Sequence, residues 1–204
     1  MVIAPNLASL EWLTHGFGER DSDYPAEIAT LRQIHSCTVR DVSGLAGDRI
    51  AEGDALFTDR RRMLVGVRTA DCVPVLLADT RTQKVAAVHA GWRGTAAEIA
   101  TETLRVMGSE PRDVVAAIGP SIGGCCYEVG VEVAHQFGTW VPELGQRETP
   151  VKVDLKAINR LQLEQAGVAN IWVSPDCTFC LNQYHSYRRD RDDAGRLVSF
   201  IGRR

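Results

Sequence analysis

Two neighbouring runs decide how this sequence reads: Thr69-Ala70-Asp71-Cys72-Val73-Pro74-Val75-Leu76-Leu77-Ala78-Asp79 and Val85-Ala86-Ala87-Val88-His89-Ala90-Gly91-Trp92-Arg93-Gly94. Val73 to Ala78 is an apolar run too short for a helix, Thr80 to Gln83 has turn composition, and Val85 to Val88 is a return strand. The pattern predicts a buried antiparallel hairpin. In such a hairpin the start of one strand and the end of the other share a sheet edge. Cys72 and His89 are therefore expected to meet although they stand 17 positions apart. Beyond them, Thr95-Ala96-Ala97-Glu98 has the form of a capping box and predicts a helix starting at Thr95, its free N–H groups near the same edge. A buried thiol and a hydrogen-bonded imidazole at strand ends are the ordinary explanation of a lone Cys/His pair. A third residue upstream shifts that balance.

That residue is His35. Leu31 to Val42 alternates as a strand, with Leu31, Gln33, His35, Cys37 and Val39 on one face, and a polar cluster on such a face must find hydrogen bonds or a metal. Two imidazoles and a thiolate, from His35, Cys72 and His89, leave a tetrahedral zinc with a fourth position open to water or substrate. The same atoms also suit Cys72 as a nucleophile with His89 as its base. The remaining histidines read as structural: His15 has no partner at ligand spacing, and His135 falls on the outer side of a helix over Val129 to Trp140.

Around this core the chain predicts short strands at residues 12–18, 54–59, 64–69, 114–118 and 171–174, with a loop at 44–53 and a helical turn near 26–31. The helix from Thr95 should end at Gly108, and one capped by Asp154 should stop at Gly167. Tyr184 to Arg188 and Leu197 to Ile201 read as a closing hairpin. Strands dominate and helices intervene irregularly, which favours an α+β fold with a mixed or largely antiparallel sheet, in one domain over 1–204. Cys125 and Cys126, as neighbours, read as packing residues. Cys177-Thr178-Phe179-Cys180 is a CxxC without a second CxxC or HxxxH to complete a structural zinc site.

A net charge of −3 gives no electrostatic case for nucleic acid or an anionic membrane. Without an 18-residue apolar run or a signal-peptide pattern, the expected location is cytoplasmic, and the six cysteines are thiols or ligands rather than a disulfide framework. Oligomeric state has no signature in the sequence.

Several blocks then resemble one family in order along the chain: Arg32-Gln33-Ile34-His35, Gly53-Asp54-Ala55, the Thr69–Leu76 run, Val88–Thr95, Ile118–Ile122, Val153-Asp154-Leu155, Cys177-Thr178 and Ser186–Asp190. The chain resembles the laccase-domain family, also called multicopper polyphenol oxidase and described as purine nucleoside phosphorylase or peptidoglycan editing factor. The resemblance implies a four-layer α/β/β/α fold like that of cysteine-hydrolase toxins. It also implies one zinc on His35, Cys72 and His89, with the same three residues catalytic. The implied reactions are phosphorolysis of adenosine, inosine, guanosine and methylthioadenosine, and deamination of adenosine. Its implied partners are small-molecule purine nucleosides and phosphate.

For that chemistry Arg93, beside the expected helix start, and Arg188 suit a phosphate. Gln33 could read a purine or orient a ligand, and Asp71 could support the metal ligands or cap its turn. A cysteine amidase acting on a cell-wall precursor, and a non-catalytic zinc-stabilised binding protein, are the alternatives. Multicopper chemistry needs roughly ten imidazoles, and this chain has five histidines. The segment from Gly18 to Leu31 is shorter than is usual in the family, which bears on substrate preference.

Overall fold

The computed structural model describes residues 1–45 and 47–204; Ala46, within the expected 44–53 loop, lies outside the described residues. The strands are β1 (Leu13–Phe17), β2 (Val39–Asp41), β3 (Ala55–Thr58), β4 (Leu64–Thr69), β5 (Val73–Asp79), β6 (Val85–Ala90), β7 (Val114–Ile118), β8 (Glu128–Val129), β9 (Val151–Lys152), β10 (Asn170–Val173) and β11 (Leu197–Arg203). The helices are α1 (Pro5–Ala8), α2 (Trp92–Ala96), α3 (Ile99–Met107), α4 (Val131–Ala134), α5 (Leu155–Ala166) and α6 (Tyr187–Asp190).

β5 and β6 form the expected antiparallel hairpin, with Val73 opposite Ala90 and Pro74 opposite His89. They lie at the centre of a six-stranded sheet ordered β10-β7-β5-β6-β3-β2, in which β10/β7 and β2/β3 are parallel and the other pairs antiparallel. A second sheet, β1-β11-β4, is wholly antiparallel. The fold is therefore α+β with mixed sheets.

Central position explains the unbroken apolar run of β5, since both of its faces are covered. Val75 and Leu77 pack with Val88 against Ile99, Leu104 and Met107 of α3 and Ile158 and Leu163 of α5. Leu76 and Ala78 pack with Ala87 against Leu13, Phe17, Val65, Val67 and Ile201 of the second sheet. Each fully buried Val, Leu or Ile contributes roughly 1.5–3 kcal/mol, so this two-sided core, not any polar contact, fixes the floor on which the site stands. Helices cover the far face of the large sheet. On the side of the second sheet the helical part is the single turn α1, whose Ala4 neighbour and Leu7 are fully buried.

Five expectations change. The helix expected over Val129 to Trp140 is confined to α4, followed by a 3₁₀ turn over His135–Phe137. Of the strand expected over Leu31 to Val42 only β2 forms, residues 31–38 being a loop, and no helical turn occupies 26–31. The helix expected from Thr95 starts at Trp92, is capped by Gly91, and stops at Ala96. Thr95 lies inside α2 rather than capping a helix, its hydroxyl accepts from Asn159 Nδ2 of α5 at 2.9 Å, and Glu98, at φ 55, separates α2 from α3. The closing hairpin is absent: Ser186 caps α6 by accepting the Arg189 N–H, and β11 pairs with β1 and β4 instead. The helix of Asp154 forms as read, with Gly167 at φ 102 ending it.

Candidate metal centre

His89 lies on β6 with 3% of its surface exposed, and Cys72 stands just before β5. His35 comes to them from the 31–38 loop, with its backbone in the left-handed region at φ 58. One ligand atom of each, the two imidazole nitrogens and the thiol sulfur, lie within 4.8 Å of one another. The two rings stand edge to face, with centroids 5.0 Å apart at 77°.

What bends the 31–38 segment into a loop is Asp54, a carboxylate 1% exposed at the entrance to β3. It accepts hydrogen bonds from the backbone N–H groups of Ile34 (3.3 Å), His35 (3.0 Å) and Ser36 (2.6 Å), and from the Ser36 hydroxyl (2.8 Å). Its Oδ1 also lies 2.9 Å from His89 Nδ1, which leaves the other ring nitrogen to face the cluster. One buried carboxylate therefore sets the backbone of His35 and the ring of His89. Reading the residues for ligands passed over it, although it sits in the Gly53-Asp54-Ala55 block; the signal available was an acid opening a buried strand.

The electrostatics are interlocked. Burial pushes the Asp54 carboxyl up, but the bonds from His89 and Ser36 outweigh this and bring it down to about 2. Burial likewise opposes charge on Cys72, while His35 and His89 draw the thiol down to about 6. His89 is raised to about 9: its burial is overcome by Asp54 and Cys72.

The donor set fits a metal on its own geometry. A Cβ at Gly91 would lie 3.2 Å from Cys72 Sγ and 3.3 Å from His35 Cδ2, so the backbone comes as close to the donors as a glycine allows. His35, Cys72 and His89 open onto a cleft of about 460 Å³, also lined by Arg32, Arg49, Arg68 and Arg196. The Arg68 guanidinium reaches Asp48 at 2.9 Å, while its buried Nε has no hydrogen-bond partner among the described residues.

The other expected residues are spread around this centre. Gln33 lines the cleft, but its amide is engaged at both ends, donating to Arg68 O at 2.8 Å and accepting from Arg68 N at 2.7 Å. It splices the His35 loop onto β4. Asp71, at φ 88, ties the chain before Cys72 to three other segments. Its carboxylate accepts from Thr178 Oγ1 (2.7 Å), Ser186 Oγ (3.0 Å) and Arg188 N (2.6 Å), and its carbonyl accepts from Ile122 N.

Arg93 is exposed on α2 and stacks on Trp92 at 4.3 Å. Arg188 donates to Glu128 O at 3.0 Å and lies over the Tyr127 ring at 5.4 Å. Tyr127 was not foreseen. Burial, and the negative charge of nearby Cys72, push its phenol up to about 12.

The other three histidines are engaged elsewhere. His15 Nε2 accepts the Ala4 N–H at 3.0 Å, His135 bonds Arg147 O at 2.8 Å, and His185 Nδ1 accepts from Gly195 N at 3.2 Å. The expectation for Cys125 and Cys126 changes more. They do not pack into a core but face Cys177 and Cys180, and the four sulfurs form a second cluster.

A family model described as multi-copper polyphenol oxidoreductase laccase matches residues 19–204. The chain belongs to that family. It is 41% identical over 184 residues to the purine nucleoside phosphorylase of Deinococcus radiodurans, covering 86% of this chain and 70% of that protein. A Clostridium acetobutylicum protein of the same name is 39% identical, with 86% and 76% covered. Among solved structures, a Bacillus licheniformis hypothetical protein, YfiH, superposes with a TM-score of 0.85 at 29% identity, covering 95% of this chain and 94% of that one. YlmD from Geobacillus stearothermophilus gives 0.80 at 36% identity, with 87% and 73% covered. Among the described residues of this laccase-domain chain, no helix is long and apolar enough to cross a membrane.

Proposed function

We propose that this laccase-domain protein is a zinc-dependent purine nucleoside phosphorylase, holding one zinc on His35, Cys72 and His89. The observation that carries the reading is a three-donor site opening onto a cleft walled by four arginines. The phosphorylase names of its relatives agree with it. In the reaction, a phosphate oxygen bonds to the anomeric carbon as the bond from that carbon to the purine nitrogen breaks. The electron pair leaves with the purine, which takes up a proton. When bound, zinc supplies a Lewis acid at the cleft floor.

The chain's own residues do the rest. The cleft guanidiniums, Arg68 among them, hold the phosphate. Asp54 keeps both histidines oriented through every turnover. Adenosine deamination is a second activity of the same site. Multicopper oxidation does not suit this chain, because three of its five histidines are engaged away from the cluster.

The test is release of free purine and ribose 1-phosphate from nucleosides, with and without phosphate, by metal-stripped and zinc-restored protein. Base release that needs both zinc and phosphate supports the reading. Base release indifferent to phosphate, or none from the zinc-restored protein, sinks it. Inosine formed from adenosine without phosphate would establish the deaminase.

One observation favours a second reading. Asp54, His89 and Cys72 stand in the order of an acid–base–nucleophile triad, with the thiol drawn down and the imidazole raised. On that reading the protein is a cysteine amidase acting on a cell-wall precursor. A covalent acyl adduct on Cys72 in metal-free, active protein would decide for it.

A further inference from the structure

Cys125, Cys126, Cys177 and Cys180 sit outside the cleft, and nothing in the phosphorylase reading uses them. Their sulfurs all lie within 4.8 Å of one another, with Cys180 Sγ 3.8 Å from Cys125 Sγ and 3.3 Å from Cys126 Sγ. All four are free thiols. Zinc–sulfur bonds of about 2.3 Å place tetrahedral sulfurs roughly 3.8 Å apart, so little movement separates this cluster from a coordination shell. We propose that these four cysteines form a second metal site, a four-thiolate centre for zinc or a similarly thiophilic divalent cation.

Adjacent cysteines chelate poorly from an extended strand, where successive side chains point to opposite sides. Here Cys125 and Cys126 lie in a turn, in which Cys126 N and Tyr127 N both donate to Gly123 O at 2.9 and 3.0 Å. The opposing turn is built alike: Cys180 N and Leu181 N donate to Cys177 O at 3.2 and 3.1 Å. A bridge between Ser121 and Cys177 holds the two turns face to face, with Thr178 N donating to Ser121 O at 3.0 Å. Gly123 is close to both. Its N–H donates to Cys177 Sγ at 3.2 Å, as suits a thiolate, and a Cβ there would lie 3.2 Å from Cys125 Sγ.

Four thiolates and one divalent cation carry a net charge of −2, and Lys156 and Arg189 flank the cluster, Arg189 being ion-paired with Asp190 at 2.7 Å. Lys156, 6% exposed, donates to Ser174 O and Asp176 O at 2.8 Å, just before Cys177. Arg189 donates to Thr178 O and Phe179 O at 2.9 and 3.0 Å, inside the CxxC turn. The donor chemistry, all sulfur and closed to a fifth ligand, is that of a structural site.

Its effect would reach the cleft. The first turn leads into Tyr127 and follows Ile122, which donates to Asp71 O; the second carries Thr178, which donates to the Asp71 carboxylate. The clamp thus braces the residue preceding Cys72.

The experiment is metal analysis of full-length protein purified under reducing conditions, beside Cys72→Ser and Cys180→Ser. Wild type should carry about two zinc per chain and each variant about one. Cobalt-substituted Cys72→Ser should show the intense ligand-field bands of a four-thiolate site, a readout that does not depend on whether a cluster variant folds. In Cys180→Ser, zinc at the cluster should weaken by more than the roughly 10–100-fold that loss of an outer-shell partner costs. A single zinc that disappears in Cys72→Ser would overturn the proposal. So would two zincs both retained by Cys180→Ser, or a mass of the fresh protein showing these thiols paired as disulfides. Because the readout is metal at the cysteine cluster, the outcome is independent of whether the cleft performs phosphorolysis.

Discussion

The 73–90 hairpin and the 31–38 loop deliver donor side chains to one cluster by opposite means. The hairpin does so by burial: its strands are wholly enclosed, and the positions of Cys72 and His89 follow from strand register. The loop brings no comparable core. His35 is exposed, and its backbone is held by three N–H bonds to a single carboxylate reached from another part of the chain. The difference teaches where each half is vulnerable. Apolar truncation should damage the hairpin's stability and spare the site; polar truncation at one atom group should damage both.

The largest effect is therefore expected at Asp54. Asp54→Ala leaves three backbone donors, the Ser36 hydroxyl and the His89 ring without their acceptor. Removing one partner of a buried charged pair costs about 3–5 kcal/mol, and losing an outer-shell partner weakens metal by about 10–100-fold. Urea unfolding and a zinc competition titration should both register the loss. An Asp54→Ala protein that keeps its stability and its zinc would remove this carboxylate from the account of the loop.

Leu77→Ala makes the opposite cut. Leu77 is fully buried between the large sheet and its helices, remote from the donors, and such truncations cost about 2–5 kcal/mol. Zinc affinity measured well below the unfolding transition should be unchanged. Should affinity fall in step with stability, the floor and the site are not separable in the way described.

Gly91→Ala separates them from the site's side. Its φ of −68° and ψ of 175° are ordinary for alanine, so the fold tolerates the change. The added Cβ would crowd Cys72 and His35. Overpacking of this kind costs about 1–3 kcal/mol, or roughly 5- to 150-fold in zinc affinity. Affinity equal to wild type would mean the donors have slack that the geometry does not show.

The same contrast explains what could be read before the structure. The hairpin was legible because its evidence is local: an apolar run, a turn, a second run. His35 was identified by its chemistry, yet its strand was misread, since alternation in 31–42 could not reveal that Asp54 captures residues 34–36. Thr95 and Glu98 had the spacing of a capping box, but Asn159, 64 positions after Thr95, holds the threonine hydroxyl. The cysteine cluster escaped for the same reason. Two pairs some fifty positions apart become neighbours through the parallel pairing of β7 with β10 and the bridge between Ser121 and Cys177 beyond it. Local patterns predicted elements; contacts between distant polar groups decided where those elements bend.

The smallest effect is expected at Arg93, and it tests where the anion lies. From sequence, Arg93 and a helix start at Thr95 were to share one phosphate. The helix starts at Trp92 instead, and the Arg93 guanidinium rests on the Trp92 ring at the surface. Losing that stacking costs about 0.5–1 kcal/mol, so Arg93→Ala should leave stability and zinc nearly as they were and shift apparent phosphate affinity little. Arg68→Ala is the comparison, because Arg68 lines the cleft beside the three donors. Losing a charge-assisted contact there costs about 1.5–3 kcal/mol, or roughly 10- to 150-fold in phosphate affinity. The decisive measurement is the phosphate dependence of base release by both variants. If Arg93→Ala suffers as much as Arg68→Ala, the anion binds on the Tyr127 side of Cys72, and the arginine-lined cleft admits the nucleoside instead.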